Sequence, residues 1–156
     1  MGARPVTAAA EVLAIWLRPA ARLPVRAVGE AIAVANVGLD GDHAVAGRRQ
    51  ITLLAIEAWT EACAQLGRDV DPAVRRANVL TRGIDLAGCI GRTLRIGDAE
   101  VEIVGETRPC ELLDDQGRIG LSAALRPDRR AGVHGIVRRG GVLRIGAAIS
   151  VVGDGA

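Results

Sequence analysis

The chain has 156 residues, 49% of them apolar, with no Phe, no Tyr and two Trp. This length suits one compact domain, and the apolar fraction excludes intrinsic disorder. All twenty basic residues are Arg and stand against eighteen acidic ones, a net charge of +2 that is too balanced for a dedicated nucleic-acid-binding protein. Without Lys the chain cannot form the Schiff base of a pyridoxal-phosphate (PLP) enzyme, and without Phe or Tyr it lacks platforms for stacking bases.

The cysteines and the hydropathy pattern indicate the compartment. Cys63, Cys89 and Cys110 are an odd number without CxxC spacing, which argues against a disulfide framework and a cysteine-rich zinc site. Free thiols are typical of a reducing cytosol. The chain has no uncharged apolar run of about 18 residues, the length that a membrane-spanning helix requires. We therefore expect a cytoplasmic protein that acts without a membrane and without nucleic acid.

Most of the predicted elements are strands. In chain order they lie at residues 12–17, 25–37 with a break at Gly29, 51–56, 78–81, 93–96, 101–104, 136–139 and 142–145. The continuous apolar run at 51–56 indicates a strand buried on both faces. The last four strands are expected to form two hairpins, the second turning at Gly140-Gly141.

One helix is predicted over residues 57–66, where Trp59, Cys63 and Leu66 share one face and Gly67 follows as a C-terminal cap. Helical turns are expected after Asp71-Pro72 and over residues 86–90, and a turn over 38–42. The predicted fold class is mainly β, a closed or nearly closed β-barrel with a few short helices in a single domain spanning 1–156.

The three thiols differ in their surroundings. Cys63 lies on the apolar helix face and Cys89 between Gly88 and Ile90, so both are expected to be packed, inert side chains. Cys110 follows Arg108 and Pro109 just beyond a predicted strand, where a nearby Arg favours the nucleophilic thiolate and the adjacent Glu111 opposes it. Local chemistry leaves a functional and a structural role for Cys110 equally open.

The polar clusters permit two further hypotheses. Asp42 and His43 in the turn 40–43 are either a metal-binding pair or part of a plain turn, and the turn lacks the ligands of a Ca²⁺ loop. With His134 and one Cys they make only a weak zinc hypothesis. Arginine pairs are usually solvated, but Arg is the preferred side chain for binding phosphate. An anion pocket containing one thiol would form if the following arginines converge: Arg48, Arg49, Arg76, Arg82 and Arg108.

Read in order, these segments resemble the MOSC domain, which is named for the C-terminal part of molybdenum-cofactor sulfurases. The resembling segments are 38–43, 48–54, 76–79, 81–86, 91–97, 108–110, 131–133, 140–141 and 145–146. The resemblance covers about residues 12–152. The sequence departs from the family pattern at Ala77, where many relatives have Glu, and at Ala147, where Asp often follows the final Gly.

The resemblance implies a β-barrel whose cysteine either ligates molybdenum in a pterin cofactor (molybdopterin) or carries a sulfane sulfur. By position Cys110 would be that thiol, the metal ligand and catalytic residue. The resemblance makes five residues candidates for binding the pterin phosphate and for the pocket rim: Asn78, Arg82, Arg108, Arg48 and Arg49. It adds Asp42 and His43, at the end of a Gly-Asp turn, as further cofactor-binding candidates.

Three functions follow from this resemblance. The leading one is a cofactor-binding protein, with reduction of N-hydroxylated compounds as its activity and a separate electron-donor protein as partner. The second is a sulfur carrier or sulfurtransferase with a persulfide on Cys110, loaded by a separate cysteine desulfurase. The third is a module that binds or delivers the cofactor without turnover.

Overall fold

The computed structural model describes residues 9–20, 23–43, 47–115 and 117–153. The strands in these ranges are β1 (Glu11–Leu17), β2 (Arg26–Val28), β3 (Glu30–Val34), β4 (Gly38–Leu39), β5 (Ile51–Ala55), β6 (Val79–Arg82), β7 (Thr93–Ile96), β8 (Ala99–Glu106), β9 (Val133–Arg139), β10 (Gly141–Arg144) and β11 (Ile149–Val151). The α-helices are α1 (Ile56–Leu66) and α2 (Leu121–Leu125). Short 3-10 helices lie at Pro72–Arg75, Ala87–Cys89, Glu111–Asp114 and Pro127–Arg129. No helix in the described ranges is long and apolar enough to span a bilayer.

The strands form two sheets. The larger has the order β11-β7-β8-β9-β5-β6-β1-β2, and the smaller has the order β10-β3-β4. Among the strands of the described ranges, only β5 and β6 pair in parallel, because α1 carries the chain back across the sheet between them, as a parallel connection requires. All other strand pairs are antiparallel.

Neither sheet closes into a barrel, so that part of the predicted fold is corrected. The large sheet curls until the start of β1 meets residues 146–149, where Gly146 N–H donates to Val12 O at 2.8 Å and Ile149 N–H to Ala10 O at 2.9 Å. The strand contact there is a single bridge between Glu11 and Ala148. The ladder goes no further because β2 pairs with the same edge of β1 from Ile15 onwards.

The predicted hairpin between 136–139 and 142–145 is also wrong. β9 pairs with β8 and β5, whereas β10 pairs with β3, so the chain changes sheets at Gly140 and Gly141. A Cβ at Gly140 would lie 2.8 Å from Ala33 O, and one at Gly141 would lie 2.7 Å from Asp98 Cβ. The glycines therefore permit a close crossing between sheets rather than a tight turn.

Two apolar cores separate three layers. One lies between the two sheets and contains Leu53 of β5 together with Leu143 of β10. The other lies between the large sheet and the helices and contains Leu54 of β5 with Trp59 and Cys63 of α1. Successive residues of β5 thus face different cores, which confirms the prediction of a strand buried on both faces.

Candidate functional site

A cavity of about 290 Å³ lies at the end of the large sheet where β5 and β6 begin. We call it the arginine pocket; its lining residues are Arg18, Arg49, Thr52, Leu53, Arg75, Arg76, Ala77, Thr107 and Ala131. Four guanidinium groups therefore meet in one small space. Among the described residues, no carboxylate lies within ion-pair distance of Arg49, Arg75 or Arg76, so the pocket carries uncompensated positive charge.

Arg18 is held in the pocket by Asp42. Its Nε donates to Asp42 Oδ1 at 3.2 Å and its Nη2 to Asp42 Oδ2 at 2.8 Å, and the Arg18 backbone N–H adds a third bond at 2.8 Å. The Asp42 side chain is 0% exposed. Burial by itself would raise the pKa of Asp42, but the hydrogen bonds and charge of Arg18 hold it below its ordinary value. Asp42 is therefore an ionised anchor for Arg18.

Asn78 is fully buried and completes this network. Its Oδ1 accepts from Arg18 Nη2 at 3.2 Å, from Thr52 N–H at 3.0 Å and from Thr52 Oγ1 at 3.2 Å, and its Nδ2 donates to Trp16 O at 3.2 Å. The side chain does not line the cavity. In this arrangement Asn78 ties β1, β5 and β6 together and orients Arg18 towards the pocket.

Two consecutive arginines fasten the loops on either side of the pocket. Arg75 Nε donates to Ala131 O at 2.9 Å, and its Nη2 donates to Thr107 O at 2.9 Å. Arg76 reaches the other side, where Nη2 donates to Ala20 O at 3.0 Å and Nη1 donates to Leu23 O. They diverge because Arg75 ends a 3-10 helix and Arg76 follows it in the left-handed region, with φ of 62°.

Burial lowers the pKa of both arginines. Burial, followed by the charge of Arg49, lowers the pKa of Arg75 to about 10, while the negative charge of a Cys110 thiolate raises it. Burial, followed by the charge of Arg18, lowers the pKa of Arg76, and Asp42 opposes that shift.

Cys110 is exposed, in contrast to the buried Cys63 and Cys89. It lies three residues after Thr107 of the pocket wall, at the start of the 3-10 helix Glu111–Asp114, where its carbonyl accepts from Leu113 N–H at 2.9 Å. Arg75 of the pocket wall donates to Thr107 O and lies 3.4 Å from Arg108 O, so the segment that leads to the thiol borders the pocket. The expectation that Cys63 and Cys89 are packed side chains is confirmed.

His134 stands beside the pocket as a neutral group. It is paired with Thr52 in the β5–β9 register, and its Nδ1 lies 3.3 Å from Thr107 Oγ1. Burial, followed by the charges of Arg49 and Arg48, lowers the pKa of His134. The weak zinc hypothesis gains no support, since no group of three or more His, Cys, Asp or Glu in the described ranges is arranged to hold a metal ion.

The remaining predicted residues are less closely associated. Arg82 lies at the far end of β6 and pairs with Glu11, so it does not converge with the others. The Arg108 side chain is 88% exposed and lies 3.9 Å from Glu106. Arg48 is exposed next to Arg49 without lining the pocket, and His43 is exposed while its backbone N–H donates to Arg18 O at 2.6 Å.

A larger cavity of about 400 Å³ lies at the opposite end, where β5 and β6 finish. Its wall includes the carboxylates of Glu57 and Asp85, which already accept backbone N–H bonds from Gly83 and Gly88. None of the predicted site residues lines it. Size alone therefore does not identify the functional cavity.

Sequence reasoning missed Arg18 and Arg75 as pocket residues. Arg18 directly follows the buried residues Trp16 and Leu17, a position where a charged side chain emerges at the end of a strand. Arg75 ends the helical turn capped by Asp71, whose side chain accepts from Ala73 N–H at 2.9 Å. The end of a buried strand and the end of a capped helical turn were therefore the sequence features that could have identified these two residues.

Comparison with known proteins gives a family and a fold. The sequence model of the MOSC domain matches residues 40–150. No curated protein sequence matches the chain at a significant level. The matched segment includes the turn with Asp42, the arginine pocket apart from Arg18, and Cys110.

Solved structures share the whole architecture at low sequence identity. The YUAD protein from Bacillus subtilis superposes with a TM-score of 0.78 at 21% identity, covering 92% of this chain and 96% of that one. YiiM from Geobacillus stearothermophilus gives 0.75 at 17% identity, with 94% and 77% covered. YiiM from Escherichia coli gives 0.68 at 19% identity, with 90% and 69% covered.

Proposed function

The chain belongs to the MOSC domain family, and on that premise we propose that it binds a molybdenum-pterin cofactor, with Cys110 as the molybdenum ligand. MOSC domains are associated in general with binding of the molybdenum cofactor. The observation that carries the proposal is the arginine pocket, where four guanidinium groups gather next to the exposed thiol of Cys110. Guanidinium suits phosphate, and a thiolate suits a soft metal or sulfur.

The residues present fit the two ends of such a cofactor. The pocket of about 290 Å³ lies at the lower end of ligand-cavity volumes, which suits a phosphate-bearing end with the remainder of the molecule outside. Arg49 has no described ion-pair partner and is free to donate to the phosphate, and Arg18 is already oriented by Asp42. Cys110 would hold the molybdenum at the rim.

The bound cofactor would supply two-electron redox chemistry, which we propose is used to reduce N-hydroxylated compounds. A chain with this role needs a separate electron-donor protein. Arg48 and Arg108 are exposed outside the pocket and would contribute only to the general positive charge around it. Asn78 would act through Arg18, because its amide lies behind the pocket wall.

The exposure of Cys110 also supports a second candidate, a sulfur carrier with a persulfide on that thiol. The thiol is accessible, and the carbonyls of the two residues before Pro109 lie within 3.5 Å of the Arg75 guanidinium, a setting that suits a reactive cysteine. This function would require a separate cysteine desulfurase. The protein would then hold sulfane sulfur without molybdenum.

The decisive experiment measures molybdenum and sulfane sulfur in protein purified from a host that makes the cofactor. Near-stoichiometric molybdenum in the wild type, reduced to background in Cys110→Ser, is the expected result. Cys63→Ser, which alters a buried thiol on α1, is the matched control and should retain the metal. Sulfane sulfur without metal would establish the carrier, and neither signal in a folded protein would contradict both and favour a non-catalytic binding or delivery module.

The arginine pocket makes a separate prediction about affinity. Arg49→Gln should weaken retention of the cofactor about ten- to a hundredfold, because a charge-assisted hydrogen bond contributes on the order of 1.5–3 kcal/mol. Arg48→Gln removes the same charge from the neighbouring exposed residue outside the pocket and should change retention by no more than about twofold. Equal losses in both variants, measured as molybdenum remaining after dialysis, would show that general charge and not the pocket holds the ligand.

A further inference from the structure

We propose that Arg75 is the positioning residue of Cys110: its guanidinium fixes the main chain just before the thiol to the wall of the arginine pocket. The inference rests on the proposed function for the role of Cys110 and adds the residue that keeps this thiol in place. Its basis is the set of acceptors that Arg75 uses, all of which are backbone carbonyls around the pocket.

The Arg75 bonds join two segments that are distant in sequence. Nη2 donates to Thr107 O at 2.9 Å and also lies 3.4 Å from Arg108 O, while Nε donates to Ala131 O at 2.9 Å. Thr107 and Arg108 lead directly into Pro109 and Cys110. One side chain therefore links the segment between β8 and the thiol to Ala131, which lies two residues before β9.

Few other bonds hold this loop. Thr107 N–H donates to Gly132 O at 2.8 Å, and Cys110 O accepts from Leu113 N–H at 2.9 Å. Pro109 has no N–H to contribute. The Thr107 side chain adds a contact of 3.3 Å from Oγ1 to His134 Nδ1. Within the described ranges Arg75 is the hydrogen-bond donor to the carbonyls of Thr107 and Arg108, so it restrains the main chain between Thr107 and the thiol.

The geometry requires arginine and not merely a cation. Nε and Nη2 use the planar fork of the guanidinium to reach Ala131 O and Thr107 O at the same time, whereas a lysine ammonium is a single point donor. Among the described residues Nη1 has no acceptor, which leaves two N–H groups for a ligand in the pocket. Arg75 can thus contact the anion and hold the Cys110 loop together.

The test replaces the guanidinium group of Arg75 with an ammonium group and so keeps the positive charge. Arg75→Lys is compared with Arg49→Lys, which makes the same change in the same pocket at a residue that has no hydrogen bond to the loop within the described part of the chain. Hydrogen exchange of the Thr107 and Leu113 amides, measured by NMR without added ligand, reports on the loop. We expect exchange at both amides to become about tenfold faster in Arg75→Lys and to stay within about twofold in Arg49→Lys.

The Ile103 amide separates a local effect from general destabilisation. It donates to Arg92 O at 2.8 Å within the core region of β8, away from the loop. Exchange at Ile103 should be unchanged in Arg75→Lys. Unchanged exchange at Thr107 and Leu113, or an equal increase at all three amides, would overturn the proposal.

A second measurement follows the thiol itself. Cys110 is alkylated with anionic iodoacetate and with neutral iodoacetamide, and the two rates are taken as a ratio. Both reagents react with the thiolate, so the ratio does not depend on the fraction of thiolate and reports the local electrostatic potential. The ratio should fall about threefold or more in Arg75→Lys, because the released thiol leaves the field of the other arginines, and remain near the wild-type value in Arg49→Lys. Cys110→Ser gives the background from Cys63 and Cys89, and an unchanged ratio in Arg75→Lys would also refute the inference.

These results are independent of cofactor binding. Absence of molybdenum from wild-type protein would count against the proposed function while leaving the exchange result intact. Retained molybdenum together with unchanged exchange and alkylation would count against Arg75 as the positioning residue alone.

Discussion

Replacing Asp42 with Ala should lower the free energy of unfolding by about 3–5 kcal/mol, because it leaves a largely buried guanidinium without its carboxylate. The Asp42 side chain is 0% exposed and that of Arg18 is 17% exposed, so water cannot substitute fully for the lost partner. Three hydrogen bonds between these residues disappear together. Arg18 would also lose its orientation towards the arginine pocket, which should weaken anion binding.

Urea denaturation of Asp42→Ala beside Asp40→Ala provides the measurement. Asp40 lies in the same turn but is exposed, so its replacement should change the unfolding free energy by less than about 0.5 kcal/mol. The pKa of Asp42 is lowered on folding from 3.8, so its stabilisation is complete well above pH 3.8 and is lost as the pH falls through the folded value. The difference in unfolding free energy between wild type and Asp42→Ala should therefore be constant from pH 5 to 7 and become smaller below pH 3.8. A small difference at neutral pH would show that the ion pair does not stabilise the fold.

Gly132→Ala should be nearly as damaging, with an expected loss of about 4 kcal/mol from backbone strain and overlap. Gly132 has φ of +106°, and a Cβ there would lie 2.4 Å from Leu53 O, a main-chain atom of β5 that cannot turn aside. The adjacent Ala131 carbonyl accepts from Arg75, and Gly132 O accepts from Thr107 N–H. A shift of this segment would therefore disturb the pocket as well as the core.

Gly91→Ala separates the effect of backbone strain from the effect of atomic overlap. Gly91 has φ of +89° but no atom within 4 Å of its Cβ position, so this substitution carries strain without overlap and should cost about 1 kcal/mol. Both variants are compared with the wild type by thermal and urea unfolding. Equal losses in the two variants would mean that the contact with Leu53 O contributes nothing and that conformation alone accounts for the effect.

Local patterns predicted most individual elements. The alternation and apolar runs that define β1 and β5, and the spacing that defines α1 with its cap at Gly67, are properties of neighbouring residues. Pairing across the sheets was not predictable in the same way. Gly140-Gly141 has the composition of a hairpin turn, but the partner of β10 is β3, more than a hundred residues earlier. The predicted barrel was wrong because β2 covers the edge of β1 from Ile15 onwards, which is also a pairing across the sheet.

The candidate site likewise combines residues that the sequence could identify with residues whose roles depend on distant parts of the chain. The resemblance drew attention to Cys110 and the Arg48-Arg49 pair, and the structure brings Arg49 and Arg76 into one pocket while leaving Arg82 at the opposite end of β6. Arg18 and Arg75 were missed because their roles depend on acceptors far away in the chain, Asp42 and Ala131. Burial changes an arginine from a solvated surface group into a structural one, and sequence spacing does not report that change.

The arginines that fasten the two loops bind main-chain oxygen atoms, and every residue type carries one. Side chains at positions such as Ala20, Leu23 and Arg108 can therefore be exchanged without removing the acceptors that Arg75 and Arg76 use. The loops around the pocket are open to diversification, in nature or in a designed library, while the two anchors are not. A search for new ligand specificity in this protein would begin by varying the loop side chains and keeping both anchors fixed.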